Sequence, residues 1–499
     1  MARLNISILQ LLIPFTLVFG QGEANKWLAG YHVPAGPQPP WGVSMIDFNP
    51  GFPDTSITTI PMSFRFTCAI ANDSAGNLLF YTNGVYIADA SHDTMLNGSG
   101  INPGPYVNTF RDAGLRIPQG DIIIRDPGNL NEYYLFHETA TYDSNIGSQV
   151  EELYYSKIDM SLNGGLGAVT SKNNVLLHDT LLNGAITAVR HANGRDWWLQ
   201  FHRWNSSTFV RYLITSGGIQ GPFYQTIGSH SQYGSTGGAI FSPDGSKFVH
   251  SNIEMEVDLF DFDRCTGELS NLVHFHAPQP TYAIHAEFSP NNRFLYVNTD
   301  STIYQYDLHA NNIFLSRLTV AEFDTFADPG PPFWCFFDIP KLGPDNKIYY
   351  APGNTCASFH VINDPDSLGR ACNVTLHSLA LPSYCAWTIP NFYNFWLGKI
   401  PGSDCDSLID NLLDLPVENF SFKIFPNPSD GIVDFEFHSH LEQNFTLNIF
   451  NSEGKNFFQQ IIQKNESTYR MPANVLKPGF YIAELRSNRS AYRQKLIVE

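Results

Sequence analysis

The stretch "AIFSPDGSKFVHSN" (Ala239–Asn252) decides the fold. Two alternating strand-like runs flank a corner made of Pro243, Asp244 and Gly245. Proline sets φ at the first corner position, and Asp, Asn or Gly tolerates the left-handed position after it. The segment therefore reads as a tight antiparallel hairpin. It returns as "AEFSPNNRFLYVNT" (Ala286–Thr299) and as "PKLGPDNKIYYAPG" (Pro340–Gly353). Behind each copy stands a further pair of strand-like runs, "VDLFDFDRCTGELSN", "TIYQYDLHANNIFL" and "ASFHVINDPDSLGRACNV". Four antiparallel strands per repeat make the blade of a β-propeller.

Fainter copies begin at Ala69, Ile122 and Ile186. Second strands are expected to start at Leu78, Tyr133, Trp197, Phe248, Phe294 and Ile348, at spacings of 55, 64, 51, 46 and 54 residues. A blade with loop insertions needs roughly 40 to 50 residues or somewhat more. "KWLAGYHV" opens one more second strand at Trp27, with third and fourth strands in "GVSMIDFNPG" and "TSITTIPMSF" but no first strand before it. At the far end "YCAWTIPNFYNFWLG" (Tyr384–Gly398) is an orphan. The expectation is an all-β, seven-bladed propeller over residues 21–398, in which the orphan is the last strand and closes the N-terminal blade. A pair of β-sandwiches with accidental repetition leaves that orphan unexplained.

Composition agrees. Charged residues are 15% and aromatics 14%, with 38 Gly and 32 Pro spread along the chain. That mix suits half-buried pleated surfaces broken by many turns. Formal net charge is −18; residues 423–499 hold nine Lys/Arg against eight Asp/Glu, so the preceding body carries −19. Such a body repels nucleic acid and anionic lipid, and no nucleic-acid partner is expected.

The N-terminus "MARLNISILQLLIPFTLVFGQGEANKW" reads as a signal peptide over residues 1–20, with Arg3 ahead of an apolar run and cleavage between Gly20 and Gln21. The run is short for a bilayer, and no transmembrane segment is expected in the mature chain. Seven cysteines suit an exported protein, with no C-x-x-C pair to suggest a zinc ribbon or a redox site. Cys356 and Cys372 flank one strand-turn unit and are candidates for a bridge, although spacing leaves connectivity open. The odd count leaves at least one thiol out of any intramolecular pairing.

Residues 399–421 read as a polar linker. Beyond it, residues 422–499 show strand-like runs in "FKIFP", "GIVDFEFHS", "FTLNIFNSEGK" and "GFYIAELRSNRSAYRQKLIVE", the pattern of a small Ig-like β-sandwich. This tail resembles the type A C-terminal sorting domain of the type IX secretion system of Bacteroidota. The matching elements are "PNPSDG" (Pro426, Asn427, Pro428, Gly431), "LNIFNSEGK" (Gly454), "LKPGFYIAEL" (Gly479, Tyr481) and "QKLIVE" (Lys495). The resemblance implies the type IX machinery as a partner, passage across the outer membrane, and removal of the tail within the linker. The mature body is then secreted or attached to the cell surface. The body resembles the WD40/YVTN-like propeller region that precedes such tails, through "NLLFYTNGVYIADASHDTMLNGSG", "FDFDRCTGELSN" and "VINDPDSLGRACNV". Exported proteins of that group carry O-glycans at Asp-Ser/Thr triplets, which Asp73, Asp93, Asp179, Asp366 and Asp406 fit.

Nucleophile-elbow, zincin, P-loop and dinucleotide signatures are absent, so no catalytic residue and no cofactor are expected. "FHETA" at Phe136 lacks the second His of a zinc helix. His137, His202 and His250 fall near the ends of three second strands, but Asn83, Asn298 and Pro352 stand near the equivalent place elsewhere. Structural histidines are the simpler reading, and no metal is expected. Asp258, Asp261 and Asp263 lie on strand-like sequence that does not wrap a calcium ion as a loop does. "RDWWLQFHRW" (Arg195–Trp204) suits either a sugar-stacking face or a propeller core. The leading functional expectation is an extracellular binding module for a protein or glycan, its ligand-binding residues unknown. A secreted hydrolase or lyase with a funnel active site and a structural matrix component are the alternatives.

Overall fold

The computed structural model describes residues 22–143, 147–231, 238–252, 254–277, 284–394, 397–405, 421–429, 431–438, 444–451, 456–464, 466–472, 475–486 and 491–498. The expected signal peptide, with Gly20 and Gln21, and Gly454 lie outside them. The chain divides into two compact units, Met1–Leu408 and Ile409–Glu499. None of the described helices is long and apolar enough to cross a membrane.

The first unit is a β-propeller. Its described strands form a three-stranded sheet, an eight-stranded sheet and four four-stranded sheets, nearly all antiparallel. The eight-stranded sheet is two four-stranded meanders joined at their outer strands by one parallel pair, Leu96 with Ala168. Seven meanders thus follow one another among the described residues. Second strands begin at Leu78, Glu132, Trp197, Lys247, Phe294 and Ile348, within one residue of the sequence expectation.

The repeated corner explains that accuracy. In its three clearest copies Gly245, Asn292 and Asn346 adopt φ of 71°, 61° and 63°. Their amides donate to the carbonyls of Ser242, Ser289 and Gly343 at 2.8, 2.9 and 3.1 Å. In the first two copies the serine hydroxyl also accepts the amide five residues on, Lys247 at 2.9 Å and Phe294 at 2.8 Å. One expectation shifts: the outer strand after "TIYQYD" is Leu318–Glu322, because Phe314–Ser316 forms a short 3₁₀ turn where "NNIFL" suggested strand.

Closure of the ring differs from the sequence reading. Among the described residues the first sheet has three strands, and those of Tyr384–Gly398 supply no fourth. Instead the last meander packs face to face on the first. Tyr349 meets Trp27 and Phe48 at 5.6 and 5.5 Å, and the Ser44 and Ser383 hydroxyls bond at 2.7 Å in the buried seam. The physical reason lies in residues 386–394, which serve another purpose.

That segment runs down the centre of the ring. Trp387 stacks on Phe66 at 5.2 Å under the Arg65 guanidinium. The Asn391 amide nitrogen donates to the carbonyls of Asp121 and Ile186, both at 3.0 Å, and its backbone N–H donates to that of Cys68 at 2.8 Å. These carbonyls come from three consecutive meanders. Lys341 Nζ donates to the Phe392 carbonyl at 2.6 Å, and Tyr393 meets Trp197 edge-on at 4.4 Å. At the far mouth Asn394 binds the Pro243 carbonyl, and Arg264 donates to that of Gly398 at 2.6 Å.

The chain stays with the body beyond this point. Ile400 N–H donates to the Ala192 carbonyl at 2.8 Å, and Cys405 is bridged to Cys265 across 140 residues of sequence. The expected linker from residue 399 therefore begins later, since residues 399–405 belong to the propeller unit. The second bridge is Cys335–Cys356, not Cys356–Cys372, leaving Cys68, Cys372 and Cys385 as buried thiols. Cys372 lies on a 3₁₀ turn, where its side chain packs with Phe294, Tyr296 and Tyr350.

Replacing Asn391 by Ala strands two buried carbonyls. Each buried group left without a partner costs about 1–3 kcal/mol, so Asn391→Ala is expected to lower the denaturant-unfolding free energy by about 2–6 kcal/mol with an unchanged m-value.

Candidate binding groove

With its centre filled, the propeller has small spaces beside the threaded segment among the described residues. Cavities of about 60 and 30 Å³ flank residues 389–394. The larger is bordered by Glu287 and Lys341 on the inner strands of the last two meanders. Glu287 accepts the amides of Phe288 at 2.9 Å and Leu342 at 3.0 Å. Burial dominates over these contacts and over the Lys341 charge, and pushes the Glu287 carboxyl up to about 7.

The histidines singled out in the sequence behave as core. His202 and His250 stack at 5.0 Å between adjacent meanders, whereas His137 stands apart, bonded to Asn102 Oδ1 and Ser156 Oγ at 2.7 and 2.8 Å. Burial holds His137 down to about 3 and His250 to about 4, so all three rings stay neutral in ordinary conditions. Asp121 and Glu138 are buried carboxyls pushed upward by desolvation, and neither Asp121 oxygen has a hydrogen-bond partner. These shifted groups are buried. Trp197 and Trp198 are core side chains as well, the latter donating to the Arg264 carbonyl at 2.9 Å. Asp261 and Asp263 occupy separate strand and turn positions: Asp261, on Glu256–Phe262, pairs with Lys247 at 2.7 Å, and Asp263 accepts the Cys265 amide at 2.7 Å.

A far larger space opens at the loop end of the first two meanders. This groove holds about 900 Å³ between the His32–Pro34 loop, the Pro61–Ser63 turn, the Asn83–Tyr86 corner and the loop around helix Pro105–Phe110. Its polar residues are fixed from behind. Asn83 Nδ2 donates to the Ser63 carbonyl at 2.8 Å, and Asn102 Nδ2 to that of Gly84 at 3.0 Å. His32 Nδ1–H donates to the Ile60 carbonyl at 2.8 Å, which sets the tautomer and leaves Nε2 as an acceptor. The Tyr86 hydroxyl donates to the Pro61 carbonyl at 2.7 Å, and burial raises its pKa to about 12. Met62, Val85, Ile101 and Val107 are the buried apolar walls; Thr94, Asn108, Arg111 and Asp112 form an exposed rim. Sequence reading missed these residues because they come from loops between repeats. The one available signal was the helix-bearing insertion "NPGPYVNTF" behind the second meander, which accounts for part of the 55-residue spacing.

The second unit is a sandwich of a three-stranded and a four-stranded sheet around Phe422, Phe435, Leu447, Ile449, Leu485 and Leu496. It has seven described strands where four runs were expected; Asn456–Ile462 and Thr468–Met471 were not anticipated, and the last run supplies two strands, Gly479–Arg486 and Ala491–Val498. The motif residues are brought onto the final strand. Asn427 donates to the Lys495 carbonyl at 2.6 Å and accepts the Ile497 amide at 3.0 Å, and Ser429 N–H reaches the Ile497 carbonyl at 2.9 Å. Tyr481 OH donates to the Lys477 carbonyl at 2.9 Å beside Gly479, while Lys495 Nζ lies 5.1 Å over Phe480. Pro426 and Pro428 flank Asn427 on the surface, and Gly431 closes the turn through its amide to Ser429 Oγ at 3.1 Å.

Residues 423–499 match the family model described as the secretion system C-terminal sorting domain. The tail is a type IX sorting domain. A sorting domain directs export through that system to the cell surface or the extracellular space. No curated protein sequence matches the chain. Solved structures similar to the body include a protein from Lactobacillus plantarum (12% identity, 72% of this chain and 98% of that one, TM-score 0.42). A candidate 6-phosphogluconolactonase from Bacteroides uniformis is similar at 12% identity, with 73% and 98% covered and a TM-score of 0.43. The Cps50 (Swd1) β-propeller domain of Myceliophteria thermophila follows at 11%, 67%, 91% and 0.35. These likenesses concern fold alone.

The channel acid gives a pH signature. Folded Glu287 holds its proton to about 7, against an ordinary value of 4.5, so the folded chain binds more protons between these limits. Its contribution is complete below the lower limit and is lost as pH rises through the upper one. Compared with Glu287→Gln, the natural chain is expected to lose roughly 1–3 kcal/mol more stability between these limits, read from denaturant midpoints at a series of pH values.

Proposed function

We propose that the protein is a secreted seven-bladed propeller whose loop-end groove binds an extracellular ligand, with a glycan as the favoured class. The observation that carries this reading is the contrast between the two interiors. The channel is filled by the chain itself, Glu287 borders only a small cavity beside it, and Asp121, Glu138, His137, His202 and His250 are buried. The groove instead offers fixed amides, hydroxyls and one tyrosine ring above apolar walls, with opposite charges confined to its rim. Polar groups held from behind suit an uncharged, hydroxyl-rich ligand, because they bind without first having to be ordered.

On this proposal residues 1–20 are removed after Gly20, and the chain comes from a bacterium of the Bacteroidota. The type IX machinery engages the tail through the Asn427 loop and the final strand that it clasps, and carries the chain across the outer membrane. An acidic body of −19 disfavours nucleic acid as ligand. A glycan array probed with the mature protein is the test. Asn108→Trp places a large ring on the exposed rim and is expected to weaken the leading glycan at least about tenfold, a loss of about 1.4 kcal/mol, with unchanged thermal unfolding. Binding of proteins alone would move the ligand class, and turnover of ester, glycoside or peptide substrates would replace the binding role by a hydrolytic one.

Removal of the tail has a boundary set by the body. Cutting before Cys405 would free the end of the channel segment from its bridge to Cys265. Mass spectrometry of the secreted form is expected to place the new C-terminus after Cys405 and before Phe422.

A further inference from the structure

The fifth meander carries a feature that the binding groove does not use. Its third strand, Glu256–Phe262, pairs with its outer strand, Leu269–His276, so that Glu256 faces His276 and Asp258 faces His274. Side chains two apart on a strand share a face, and directly paired residues share it too. The register therefore puts two imidazoles and two carboxylates into one square. One potential ligand atom from each of Glu256, His274 and His276 lies within 4.8 Å of the others. The two rings stand nearly perpendicular, at 85° with centroids 5.0 Å apart.

The fourth member holds rather than binds. Asp258 is buried and accepts Ser229 N–H at 2.6 Å, Ser229 Oγ–H at 2.7 Å and His274 Nδ1–H at 2.8 Å. A carboxylate on one imidazole nitrogen fixes the tautomer and leaves the other nitrogen with a free lone pair, the usual support of a metal-bound histidine. Glu256 is held too: its N–H donates to Asn252 Oδ1 and its carboxylate accepts Asn252 Nδ2, both at 3.2 Å, while Asn252 also donates to Ser231 Oγ. Support of this kind reaches beyond what a casual surface pair receives.

We propose that Glu256, His274 and His276 form a site for a divalent transition metal of the zinc class, with Asp258 as the positioning residue behind His274. Two imidazoles and one carboxylate suit zinc, and three protein ligands leave a coordination position open to water. The site lies on an outer strand, so the ion ties the two outer strands of the meander together.

Zn²⁺ titration of the untagged full-length chain by calorimetry is the test, with Co²⁺ as a spectroscopic probe. One ion is expected to bind, and Co²⁺ is expected to give the intense visible bands of low coordination. His274→Ala/His276→Ala is expected to abolish both, while the exposed pair His178→Ala/His309→Ala leaves them unchanged. Asp258→Asn is expected to weaken Zn²⁺ at least about tenfold with the metal-free unfolding midpoint preserved, and Asp258→Glu to restore part of that loss. The proposal is overturned by failure of the natural chain to bind Zn²⁺, by equal binding in the His274/His276 variant, or by the weak bands of hydrated octahedral Co²⁺. Loss of binding in the His178/His309 control also overturns it.

Discussion

A propeller must solve two problems that follow from its shape: the ring has to close, and its centre has to be filled. Here the last meander closes the ring by packing on the first, and the stretch that follows it fills the centre. Asn391 lies at the middle of it, and its side chain satisfies inner-strand carbonyls from two neighbouring meanders while its backbone reaches a third. Inner strands at a channel wall present backbone groups that no further strand pairs with, and water in a narrow bore serves them poorly. One amide placed among them meets several of those needs together. Aromatic packing at Trp387 and Tyr393 then fixes its depth.

Filling the centre redirects chemistry outward. In an open propeller the funnel is the natural place for a ligand, but here residues 386–394 occupy it. What remains are features built on loops and on outer strands. The groove takes its floor from insertions at the first two meanders, and the histidine–carboxylate square takes its order from strand register in the fifth. They use different residues on different sheets, so a change in one leaves the other intact.

Most of the blades were legible in the sequence, for a local reason. A corner with Pro, Asp, Asn or Gly at fixed offsets carries its own geometry, as Gly245, Asn292 and Asn346 show. The tail was legible through short motifs such as "PNPSDG", although the strand at Thr468–Met471 escaped because "TYRM" carries too little alternation to announce itself. Closure was misread since "YCAWTIPNFYNFWLG" has the apolar content of a strand; only the surrounding carbonyls reveal that it is threaded instead. The pairing of Cys265 with Cys405 is a long-range fact that spacing does not encode. The square at Glu256, Asp258, His274 and His276 had a faint trace, "EVD" opposite "HFH", visible once the two strands are put in register.

The bridge at Cys405 and the threaded stretch before it also make the body depend on its own far end. All seven meanders precede, in chain order, the peptide that occupies their common axis. Without that peptide the wheel lacks its hub, and the Asp121 and Ile186 carbonyls lack the donor that Asn391 supplies. Completion of the body thus depends on nearly its last residues, and the Cys265–Cys405 bridge holds that end in place.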